Sequence, residues 1–146
     1  MQSERRITHA RQSGFTLLEV IVVVVIIGVL AAAVGPKIFG NVYKAQVTRV
    51  KSDLGSIEAA LKIYRLDNFV YPTSEQGLRA LVERPNDPNL TNYAADGYLD
   101  AMPKDPWGRE YVYLTPGQRS DYDIYSLGRD GQQGGEGEDA DIGNWE

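Results

Sequence analysis

The sequence predicts an α+β fold: a long N-terminal helix, apolar in its first half and amphipathic in its second, packed on a small antiparallel β-sheet. Three observations carry this. An unbroken apolar run extends from Phe15 to Val34 apart from Thr16, Glu19 and Gly28. Beyond Pro36, the residues Tyr43, Val47, Val50, Leu54, Ile57, Leu61 and Tyr64 recur at alternating spacings of four and three. In the last third, two short alternating segments, "EYVYL" and "SDYDIYSLG", flank the turn-forming "TPGQRS".

Composition narrows the chemistry. The chain of 146 residues has no cysteine and one histidine, His9, so thiolate metal sites and disulfides are excluded. If the N-terminus is removed, Ser-His and Cys-His nucleophiles and the usual zinc sites go as well. Net charge is −5. Setting aside Arg5, Arg6, Arg11 and Glu4 leaves 12 basic and 19 acidic groups out of totals of 15 and 20. An acidic chain without a basic stripe is a poor nucleic-acid ligand.

The leader "MQSERRITHARQSG" is polar and places three arginines just before the apolar run. The positive-inside rule keeps this end in the cytoplasm and sends the rest across the membrane. Phe15 to Val34 is about 20 residues, roughly 30 Å as a helix, which matches a hydrocarbon core. A cleaved secretory signal is the alternative, and "AAAVGP" offers small residues for it. The run, however, exceeds the usual apolar core of about 7–15 residues.

Glu19 fits neither a plain anchor nor a signal peptide, since a carboxylate in a membrane helix costs roughly 2.5–3.5 kcal/mol. It makes sense beside a positive partner at the same depth. Cleavage between Gly14 and Phe15 would supply one, the new α-amino group of Phe15. The two residues are i and i+4, neighbours on a helical face. Between staggered subunits, an incoming Glu19 would neutralise a neighbour's Phe15 amine.

"SGFTLLEVIVVVVIIGVLAAAVGP" resembles the class III signal of type IV pilins and pseudopilins. The resemblance implies that a prepilin peptidase cuts after Gly14, that Phe15 is N-methylated, and that Glu19 directs assembly. It also implies a type IV pilin-like fold, with residues 1–14 as leader, 15–35 as transmembrane and filament-core helix, and 36–146 as a periplasmic globular domain.

Pro36 removes a donor and disfavours the preceding turn, so a break is expected there, with helix resuming near Lys37 and running to about Leu66. In an assembled filament, the backbone between about Gly28 and Pro36 is expected to lose helical hydrogen bonds. "YPTSEQGLRALVERP" predicts a second helix: Thr73 and Gln76 have capping-box spacing, Glu75 suits the first turn, and Leu78, Leu81 and Val82 form an apolar face ended by Pro85. Residues 86–98 read as a loop. "EYVYL" and "SDYDIYSLG" form an expected hairpin across "TPGQRS". Alternation in the second strand puts Asp121 and Asp123 on one solvated face.

"RDGQQGGEGEDADIGNWE" is Gly-rich and acidic, and composition alone reads it as a disordered tail. Ile142 and Trp145 argue that the chain returns to the body. Asp130, Glu136, Glu138, Asp139, Asp141 and Glu146 stand against Arg129 alone, a conflict that a hard cation such as calcium would relieve. No EF-hand pattern is present.

"YPTSEQGLRAL", "PKDPWGREYVY" and "YSLGRDGQQGGEGEDADIGNW" are similar to the major (G-type) pseudopilins of the type II secretion system, over essentially the whole chain. That resemblance implies one calcium (Ca2+) in the C-terminal loop, held by Asp130, by Asp139 with either Glu138 or Asp141, and by the carbonyl of Leu127. It implies a non-enzymatic subunit, anchored in the inner membrane, that polymerises with itself into a periplasmic pseudopilus. The implied partners are minor pseudopilins, the prepilin peptidase, an inner-membrane assembly platform, the secretin and exoproteins. A pilin for adhesion, motility or DNA uptake is the alternative, although many of those close their C-terminal region with a disulfide. A membrane-anchored enzyme using Asp121 and Asp123 is a third reading, set against their ordinary role on a solvated edge.

Overall fold

A computed structural model describes residues 15–145, with only the backbone described for residues 33–39. The leader, with Gly14, lies outside the described residues. The order of elements is helix α1 (Leu17–Asn68), a 3-10 turn (Leu78–Leu81), strands β1 (Val112–Leu114) and β2 (Asp123–Ser126), a 3-10 turn (Gly137–Asp139) and strand β3 (Ile142–Gly143). The chain divides at Gly40/Asn41 into two units.

α1 runs through Pro36 without interruption, contrary to the expected break. A proline inside a helix forfeits one hydrogen bond, here the one to the carbonyl of Ala32. α1 ends two residues later than expected, where Phe69 turns into the left-handed region at φ 65 and donates its N–H to the Arg65 carbonyl at 2.7 Å. That is a C-terminal stop usually made by glycine.

In the second unit, the apolar stripe of α1 is the spine of the core. Val50, Leu54, Ile57, Leu61 and Tyr64 are 0–4 % exposed and share one cluster with Leu78, Leu81, Leu90, Tyr111, Tyr113, Tyr122, Ile124 and Ile142. Val47 is partly buried against that cluster. Tyr43, at the start of the stripe, is half-buried and gives its hydroxyl to the Gly137 carbonyl at 2.9 Å, 94 residues away.

The expected second helix is a correction. Its capping box forms in both directions: Thr73 N donates to Gln76 Oε1 at 2.9 Å, and Gln76 N to Thr73 Oγ1 at 3.2 Å. An α-helix does not follow, because Gly77 at φ 60 and ψ −166 leaves the helical region at once. Only the four-residue 3-10 turn remains, and it still buries Leu78 and Leu81.

The hairpin is as expected, antiparallel with Tyr113 opposite Ile124. Unexpected is β3, which pairs with the far side of β2, Tyr125 opposite Gly143. The sheet order β1-β2-β3 makes β2 central, and all four of its residues are buried. Asp123 is therefore not on a solvated edge. It is 3 % exposed and accepts from the backbone N–H groups of Gln118 and Arg119 in the hairpin turn. Asp121 is exposed and pairs with Arg65 at 3.6 Å. The two carboxylates thus do separate structural work, and the paired-carboxylate reading falls. Asn144 extends the β2–β3 edge by trading hydrogen bonds with Ile124, and Trp145 packs on Tyr125 beneath the Arg119 guanidinium. The return of the C-terminus to the body is borne out.

Candidate functional site

In the first unit, Thr16 caps α1. Its hydroxyl and its carbonyl both accept from the Glu19 N–H, at 3.2 and 3.1 Å. Glu19 lies in the first turn, where the helix dipole favours a carboxylate. The capping role was legible as Thr16 followed three residues later by Glu19, a signal masked by reading the run only for its apolarity. α1 begins at Leu17, so Phe15 precedes the helix in the uncut chain. Every large apolar side chain from Phe15 to Leu30 is at least 47 % exposed, with Phe15 at 81 %. Among the described residues no helix is long and apolar enough to cross a membrane.

The C-terminal loop of the second unit is built on a buried carboxylate. Asp105, 3 % exposed, accepts from the N–H groups of Trp107 and Arg109 at 3.0 and 2.8 Å and from Ser126 Oγ at 2.7 Å. This fastens the "DPWGR" turn to the end of β2. From there Arg109 Nη2 reaches the carbonyls of Gly128 and Arg129, the latter at 3.1 Å. Gly131, at φ 72, lies against this guanidinium so closely that a Cβ would stand 2.8 Å from Nη1. The loop thus starts on a fixed platform, a role for Arg109 that no local pattern announces.

The five expected ligands fall within this loop. The Leu127 carbonyl accepts from the Gly131 N–H at 3.2 Å. Asp130 Oδ1 accepts from the Gln132 N–H at 3.0 Å. Asp141 Oδ2 accepts from the Gly134 N–H at 2.9 Å, while its Oδ1 is buried without a partner. Glu138 and Asp139 are taken by Arg129. Its Nη1 lies 2.6 Å from Glu138 Oε2, and Nε and Nη2 form a fork on Asp139 at 2.9 and 3.3 Å. Hydrogen bonding to Asp139, and then the charges of Asp139, Glu138 and Asp130, raise the Arg129 pKa further above its ordinary value. Among the described residues no group of three acidic side chains is gathered as a metal cage. In kind, the donors still fit a hard cation: carboxylates, a main-chain carbonyl, and one orphaned buried oxygen on Asp141.

Comparison with known proteins covers both units. The family described as Type II secretion system (T2SS), protein G, matches residues 37–145, and the Prokaryotic N-terminal methylation motif matches residues 9–35. The chain is 54 % identical over 135 residues to the Type II secretion system core protein G of Vibrio cholerae, covering 92 % of each chain. It is 53 % identical over 137 residues to that of Pseudomonas aeruginosa, covering 93 % of this chain and 96 % of the relative. The crystal structure of the major pseudopilin from the type 2 secretion system of enterohaemorrhagic Escherichia coli is similar with a TM-score of 0.65 and 54 % identity, over 73 % of this chain and 87 % of that one. A long helix on a small three-stranded antiparallel sheet is the fold they share. The chain belongs to the type II secretion system protein G family.

Proposed function

We propose that the chain is the major pseudopilin of a type II secretion system, a structural subunit and not an enzyme. What supports this most is that the methylation motif over residues 9–35 and the protein G family over residues 37–145 together match nearly the whole chain. In this reading, prepilin peptidase removes residues 1–14 and Phe15 is methylated. The apolar helix, Phe15 to about Gly35, holds the subunit in the inner membrane with the N-terminus cytoplasmic. Subunits then leave the bilayer by helix packing, guided by Glu19 against the neighbour's Phe15 amine, and extend a periplasmic filament toward the secretin. The apolar side chains of Phe15 to Leu30, exposed on every side of α1, support this, because such a surface needs lipid or other subunits to cover it.

Calcium belongs to the same proposal. Asp130, Asp139, Glu138 or Asp141, and the Leu127 carbonyl are the residues we assign to it. When bound, the ion would neutralise the acidic loop and hold its two arms together. The orphaned Asp141 oxygen and the acidic excess of the loop support it.

The test is a strain lacking its major pseudopilin. This chain should restore exoprotein secretion there and, when overproduced, form filaments visible by electron microscopy. Correctly processed protein that does neither overturns the reading.

A further inference from the structure

The carboxylates proposed for calcium are not all free in the folded chain, and what holds them is part of the loop itself. Arg129 grips Asp139 with a two-point fork and reaches Glu138 with its remaining nitrogen at 2.6 Å. Its own N–H donates to the Glu138 carbonyl at 3.3 Å, so side chain and backbone clamp the same segment. The base of the clamp is fixed separately, since Arg109 holds the Gly128 and Arg129 carbonyls. The opposite arm is steadied by Tyr43 on the Gly137 carbonyl.

We propose that Arg129 is a built-in counter-cation, which keeps the C-terminal loop closed without calcium and competes with calcium for Asp139 and Glu138. This rests on the calcium reading above and deepens it. Five carboxylates between Asp130 and Asp141 would repel one another in an ion-free loop, and a guanidinium is the group best shaped to bridge two of them. A divalent ion must displace it, so calcium affinity is lowered by the fraction of time the latch is shut. The loop therefore depends less on the ion than a loop of the same acids without this arginine would.

The experiment uses the full-length protein in detergent. Calcium binding is measured by isothermal titration, and loop opening by limited proteolysis within residues 127–141 in the presence of chelator. Arg129→Gln should be cleaved several-fold faster in chelator and should bind calcium about three- to tenfold more tightly. Tighter binding with unchanged ion-free cleavage would mean simple charge removal and would overturn the latch. A cycle of Arg129→Gln, Asp139→Asn and the double variant, all in chelator, gives the second measure. The two effects should be strongly non-additive, whereas additive effects overturn the proposal. If neither the wild type nor Arg129→Gln binds calcium, the calcium reading fails and the competition with it, while the ion-free cycle still decides whether Arg129 closes the loop.

Discussion

The two halves of α1 differ in how their apolar residues are arranged, and those residues meet opposite fates. In the second half the stripe of Val50, Leu54, Ile57, Leu61 and Tyr64 is buried almost completely by the chain's own sheet and loops. Between Leu17 and Leu30 apolar side chains occupy every face, and all stand at least 47 % exposed. A 3.5-residue stripe specifies one partner surface, which a small domain can supply. An all-round apolar helix specifies surroundings on every side, and no single small domain can provide those. Stability of the folded domain is thus written into the second half, while the first half calls for an apolar surround that the domain does not supply.

The largest test of that contrast is a pair of truncations. Leu61→Ala removes a side chain that is 0 % exposed and should cost about 2–5 kcal/mol of domain stability. Val25→Ala, at a position 58 % exposed, should leave the melting temperature of the same domain within the scatter of a surface change, about 0.5 kcal/mol. Calorimetry on the two full-length variants in one detergent checks it. Equal losses would break the division of labour between the halves.

Calcium removal should come next in size. At free calcium about a hundredfold above the dissociation constant, linkage adds roughly 2.7 kcal/mol. With no cysteine in the chain, no disulfide can substitute for it. Chelator should lower the melting temperature, and Asp130→Ala and Asp139→Ala should each lower it in calcium and remove the response to chelator. The Arg129 contacts predict that some loop order survives in chelator, so a partial loss is expected. A melt and a protease resistance indifferent to chelator would rule the ion out.

How much of this was legible in the sequence varies by element. The stripe is legible from Val50 to Tyr64, where periodicity reports burial directly, while Tyr43 and Val47 at its start are only partly covered. The hairpin was read too, since its turn chemistry is local. The second helix failed at Gly77, whose backbone state overrides a properly formed capping box. β3 was missed because two residues carry no period, although Ile142 and Trp145 announced that the tail comes back. The same strand decides Asp123: alternation alone places it on a solvated edge, and only a third strand makes β2 central and buries it. The loop carboxylates were legible as a cluster. Their grip by Arg129, and the platform made by Asp105, Ser126 and Arg109, depend on residues brought together from distant positions, which spacing cannot reveal.

A smaller effect should appear at high pH in the domain alone. Burial, ahead of neighbouring charges, pushes Tyr64, Tyr113 and Tyr122 up to about 12. Tyr111 is raised as well, by burial first and then by its 2.8 Å hydrogen bond to Asp53. In the unfolded chain these phenols ionise near 10. Between about pH 10 and 12 the unfolded state therefore loses protons that the native state keeps, and stability falls as pH rises. Below pH 10 the contribution is fully present. Tyr122→Phe should flatten the fall between pH 10 and 12, as read from urea midpoints across that window, and an unchanged slope would show that its hydroxyl is not held protonated by the fold.

The smallest expected effect on the fold is at Glu19, and there the contrast between the two halves is sharpest. Glu19→Ala leaves the domain untouched, so its melting temperature should match the wild type. Membrane insertion should be equal or better, because a carboxylate unfavourable in lipid is gone. The helix start keeps the Thr16 cap, whose partner is the backbone N–H at position 19 and not the side chain. On the proposed assembly route, what disappears is the counter-charge for a neighbour's Phe15 amine. Filament yield should therefore collapse while processing and melting stay normal. Glu19→Gln separates charge from shape: it keeps the size and hydrogen-bonding reach of the side chain, so restored filaments with Gln would reduce Glu19 to a polar cap. Wild-type filament levels from Glu19→Ala, with processing at Gly14 intact, would remove the charge pair from the mechanism altogether.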